Sequence, residues 1–116
     1  VSAITDEKIM ATLREVVAER PEFIYQKPLA SEGNVAVCRY VHGDVPGCLV
    51  GQVLHRLGVS LGTLSVHEGQ PAHSLADTLD IGSQAVRWAL NAAQTAQDGG
   101  STWGEALACA EREFAA

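Results

Sequence analysis

The chain has 116 residues, 47% of them apolar, and a formal net charge of -6 from fourteen acids against eight Lys and Arg. That length suits a single globular domain over residues 1–116 and leaves little volume for a large internal substrate cavity. The eight cations are scattered, which argues against nucleic acid as a partner, and no apolar run reaches the roughly 20 residues that cross a membrane.

In chain order, Thr5 followed by Asp6 and Glu7 starts a helix, with a hydroxyl cap and acids at the positive end of the dipole. Ile9, Leu13, Val16 and Val17 form its apolar stripe, and Pro21 stops it just after Arg20. Phe23 to Tyr25 and Val35 to Val41 then read as two β-strands, by their aromatic and β-branched content and the alternation in the second. The economical solution is one antiparallel hairpin joining them.

Asp44 to Gly58 reads as the next helix. Asp44 is its cap, Pro46 sits in its first turn, and Leu49, Val50, Val53, Leu54 and Leu57 form its apolar face. Gly47 and Gly51 lie four apart within that span, each costing up to about 1 kcal/mol against alanine in a helix interior. Close approach of another backbone is the compensation this implies; approach of a ligand is the alternative.

Ser60 starts a short helix through Val66, and Ala72 to Leu79 forms another short helical turn. Ser83 caps a longer helix with Val86, Leu90 and Ala93 on one stripe and Trp88 flanking it, ending at Gln97-Asp98-Gly99-Gly100. Thr102 and Glu105 form a capping box for a last helix from Trp103 to about Phe114. The fold class expected is mainly α (α+β): four to five helices with one short antiparallel β-hairpin.

Chemistry has few places to reside. Cys38, His42, Cys48, His55 and His67 have the ligand types that zinc prefers, but no Cys-x2-Cys or His-x3-His spacing, so no metal or other cofactor is expected. Cys48 in a first helical turn has the dipole that activates a thiolate. It lacks a base in register, since His55 lies two turns away, and packing is the plainer role. No catalytic residue is assigned. Trp103, with Gln97 and Asp98 before it, reads either as a corner pin between two helices or as the anchor of a recognition patch. Tyr40, Gly47 and Gly51 complete the set of candidate binding residues. Three cysteines, an odd number, and no signal-peptide pattern predict the cytoplasm.

The order of these features carries a resemblance. Arg39-Tyr40-Val41-His42 is followed by Pro46-Gly47-Cys48-Leu49-Val50-Gly51-Gln52-Val53-Leu54, then by Gln94-x-x-Gln97-Asp98-Gly99 and Thr102-Trp103-Gly104-Glu105-Ala106. Over roughly residues 12–112 the chain resembles a group of small uncharacterised proteins of actinobacteriophages, mycobacteriophages among them, and of actinobacterial prophages. The resemblance implies an accessory protein acting in the host cytoplasm, and it brings no catalytic residue with it. The function expected is a non-enzymatic module that binds, and by binding inhibits, a host protein. A homodimer through the hairpin or the small-residue helix is compatible with that. The alternative is a small Cys/His-dependent enzyme or zinc-binding domain.

Overall fold

A computed structural model describes residues 4–25 and 39–116. The described elements are α1 (Asp6–Glu19), β1 (Val41–His42), β2 (Val45–Pro46), α2 (Leu49–Arg56), α3 (Leu61–Val66), α4 (Ala72–Thr78), α5 (Gln84–Asp98) and α6 (Trp103–Ala115). The protein is mainly helical, as its periodicity predicts, with six helices and one two-stranded antiparallel hairpin among the described residues.

The caps fall where the hydroxyl residues place them. Thr5, Ser60, Ser83 and Thr102 each accept an amide from their own first turn, and Thr102 with Glu105 makes the reciprocal capping box. Ile9, Leu13, Val16 and Val17 of α1 are buried, with Met10 beside them. They join Leu49, Val50, Val53, Leu54, Leu64, Leu75, Val86, Leu90, Ala93, Trp103 and Ala106 in one apolar cluster. α5 and α6 form the most extensive helix pair, and α1, α2 and α4 pack around it.

Two expectations are corrected. Phe23 to Tyr25 belongs to no strand, and residues 35–38 of the second expected strand lie outside the described residues. The hairpin lies further along: Val41 pairs with Pro46 and His42 with Val45 around a two-residue loop, Gly43-Asp44. Gly43 sits at φ 65, a left-handed conformation that a two-residue hairpin turn requires and glycine adopts without strain.

Because Asp44 serves that turn and Pro46 lies in β2, neither belongs to a helix. The second helix begins at Leu49 rather than at Asp44. Cys48 is therefore its N-cap, with φ -69 and ψ 174, and its side chain caps no amide. After β2 the chain continues alongside the residues before β1, where the Gly47 amide donates to the Tyr40 carbonyl (2.8 Å) and the Cys48 amide to that of Arg39 (3.0 Å).

Candidate recognition site

The candidate binding residues named from the sequence do come together, and all but the half-buried Asp98 lie inside the molecule. Gly47 lies so close to the incoming strand that a Cβ there would be 2.5 Å from both the Arg39 carbonyl oxygen and the His42 ring. A Cβ on Gly51, in the first turn of α2, would collide with the Tyr40 carbonyl. Both glycines thus serve close approach of another backbone, Gly47 from outside the helix. The Tyr40 side chain crosses the core, and its hydroxyl donates to the Gln70 carbonyl with Gln94 Oε1 3.4 Å away. Glu68 clasps the same segment, its carboxylate accepting from the amides of Tyr40 (2.8 Å) and Val41 (3.0 Å).

Gln97 is the hub of the second half. Its Oε1 accepts from the Leu49 amide (2.8 Å) and from Trp103 Nε1 (3.3 Å), while its Nε2 donates to Asp98 Oδ1 (2.8 Å). Leu49 opens α2, so its amide has no partner within the helix and Cys48 supplies none. A glutamine from the far end of α5 fills the role that a capping side chain would normally play.

Trp103 is 0% exposed and cannot present itself to a partner in this fold. Its indole is a pin. Phe23 packs edge-on against it at 4.7 Å, and the Arg20 guanidinium lies over both rings. The carbonyls of Phe23 and Pro21 accept the first two amides of α6, from Trp103 and Gly104 (2.9 and 2.8 Å). Trp103 thus sits in this fold as a buried pin at the corner between the helices, not on the surface.

Among the described residues, the Cys and His candidates do not converge on a reactive centre. Cys48 is fully buried at the base of α2. His55 is exposed, with its Nδ1 3.2 Å from the Val59 carbonyl. His42 Nε2 lies 2.5 Å from the hydroxyl of Tyr25, which also receives the Arg39 amide at 3.2 Å. That contact fastens the chain before and after residues 26–38. Among the described residues no three His, Cys, Asp or Glu side chains are grouped as a metal would need, and Cys38 lies outside them. No helix among the described residues is long and apolar enough to cross a membrane.

What the surface does offer is a tryptophan. Trp88 on α5 is 45% exposed, and its indole is stacked on the His73 imidazole of α4, with centroids 4.0 Å apart and planes inclined by 20°. It stands at the rim of an open groove of about 450 Å³ between α5 and α6, lined by Asn91, Ala92, Thr95, Ala96, Cys109 and Glu113. The sequence held the signal for this site: Trp88 lies two residues from Val86 and Leu90, off the buried stripe, so a helix at 100° per residue turns it outward.

The architecture thus defines a small helical domain whose chain crossings are tied internally and whose apolar exposure includes one aromatic-rimmed groove. Set beside known proteins, the chain matches no family model, and no curated protein or solved structure is found to be similar to it.

Proposed function

We propose that the chain is a non-enzymatic protein-binding module that docks a partner on the α5–α6 groove around Trp88. The observation that carries this reading is the half-exposed indole. A large aromatic turned outward beside an apolar groove is the composition enriched at interface hot spots, and it has no packing role that would require its exposed face. The polar groups that could have built a catalytic site are spent on internal cross-links: Gln97 on α2 and Trp103, Glu68 on the strand, His42 on Tyr25. The resemblance to actinobacteriophage proteins supports a host protein as the partner, and inhibition of that protein in the host cytoplasm as the consequence.

The test is affinity capture from an actinobacterial lysate with the wild-type chain and with Trp88→Ala in parallel, each first shown to be folded by circular dichroism. The expected result is a host protein retained by the wild type and lost with W88A. Equal capture by both, or capture by neither, overturns the reading. Light scattering on the same samples separates the second-copy case: a dimer that W88A dissolves would make the groove a self-association face instead.

A further inference from the structure

We infer that His73 and Trp88 form a proton-responsive stack that sets how much of the indole is free to meet a partner. The inference rests on the reading of the groove as a docking face, but its test does not need the partner. The geometry is face to face, with centroids 4.0 Å apart and planes 20° from parallel. His73 is fixed to α5 independently of its ring, because its backbone amide donates to Asn91 Oδ1 at 3.3 Å. The backbone that carries the imidazole is therefore tied to α5, so a change in the ring's charge acts on the contact between the two side chains.

A neutral imidazole on an indole is a stack of two π systems, whereas an imidazolium on the same face adds attraction to the ring quadrupole. On α4 itself, Asp77 is one turn on and is held by Arg87 at 2.7 Å. From α5, Arg87 turns its guanidinium to Asp77, Asp80 and the Ile81 carbonyl, while Asn91 is uncharged. From α6, Glu113 lines the groove at whose rim Trp88 stands. Acidification then closes the indole onto α4 and gives the rim positive charge. Raising the pH loosens the stack and frees the indole.

Acrylamide quenching of Trp88 fluorescence reads this directly, in a Trp103→Phe background whose fold is checked by circular dichroism. Between about pH 8 and pH 5, where an imidazole changes charge, the quenching constant of Trp88 is expected to fall about two- to five-fold. His73→Phe keeps an aromatic partner without a titrating group, so its constant should stay flat across that range, at about the wild type's high-pH value. His73→Ala should give a high, flat constant. A wild-type profile without pH dependence, or one that H73F leaves unchanged, overturns the inference. Should W103F unfold, the same profiles are read with both tryptophans present, since Trp103 is fully buried and contributes a quencher-resistant background. If the stack responds to protons while W88A still captures the host protein, the docking proposal fails and this one stands.

Discussion

Single side chains hold this molecule together where its elements cross, and Gln97 shows how. One amide oxygen serves two buried donors on different elements, the Leu49 amide and the Trp103 indole. Gln97→Leu keeps much of the volume and strands both donors, each costing about 1–3 kcal/mol when buried without a partner. Chemical denaturation should therefore show a loss of about 2 kcal/mol or more, and a change within about 0.5 kcal/mol, the range of a surface substitution, would contradict the role. The Glu19–Arg56 pair is of the opposite kind. It is bidentate, at 2.8 and 2.9 Å, but exposed on both sides. The hydrogen bond from Arg56 holds the Glu19 carboxyl below its ordinary range, and the same bond raises Arg56. A lowered carboxylate contributes stability above the unfolded-state value and loses it as the pH falls through the folded one. The melting-temperature advantage of wild type over Glu19→Gln should thus be present at neutral pH, shrink toward about pH 3, and diminish with added salt.

At the scale of elements, α2 is where local propensity and tertiary packing disagree. Gly51 weakens the helix it sits in, and Gly51→Ala would gain up to about 1 kcal/mol of helix propensity. The added methyl, however, meets the Tyr40 carbonyl, a backbone group with no rotamer to yield. Overpacking of this kind costs about 1–3 kcal/mol, so the substitution should lower the melting temperature despite its better propensity. A rise would show that the strand and helix can separate freely. The start of α2 teaches the same lesson. Asp44-x-Pro46 resembles a helix opening, but Gly43-Asp44 is also a two-residue hairpin turn, and the pairing of Val41 with Pro46 and His42 with Val45 makes the latter use win. A short-range sequence signal with two valid uses is decided by the partner strand, which the local pattern does not display.

Over the whole molecule, the burial of one tryptophan and the exposure of the other divide structure from function. Trp103 ties α1's exit, α5 and α6 together, while Trp88 touches α4 and otherwise faces the groove. Replacing Trp88 with alanine should accordingly remove capture of the host protein while leaving the thermal unfolding midpoint close to wild type, a pairing that a core residue could not give. The helices, their hydroxyl caps and the buried faces of α1, α2 and α5 were legible in the sequence, because apolar period and capping chemistry act over a few residues. The corner-pin role of Trp103 was one of two readings that its position between two helices allowed. The hairpin's true place, the late start of α2, and the use of Gln97 as a cap for a helix 48 residues away were not legible, because each depends on groups distant in sequence being brought together. Tyr40, Gly47, Gly51, Gln97 and Trp103 stood out in the sequence one by one, but their gathering into an internal cross-link could not be read there. Sequence by itself determined a small, acidic, mainly helical protein with its caps and stripes, since those follow from local hydrogen bonding and hydrophobic periodicity. Only the tertiary structure decided that Trp103 is hidden and that Trp88, already off the buried stripe of its helix, stands beside a groove, because burial is a property of the neighbours that the fold brings to a side chain.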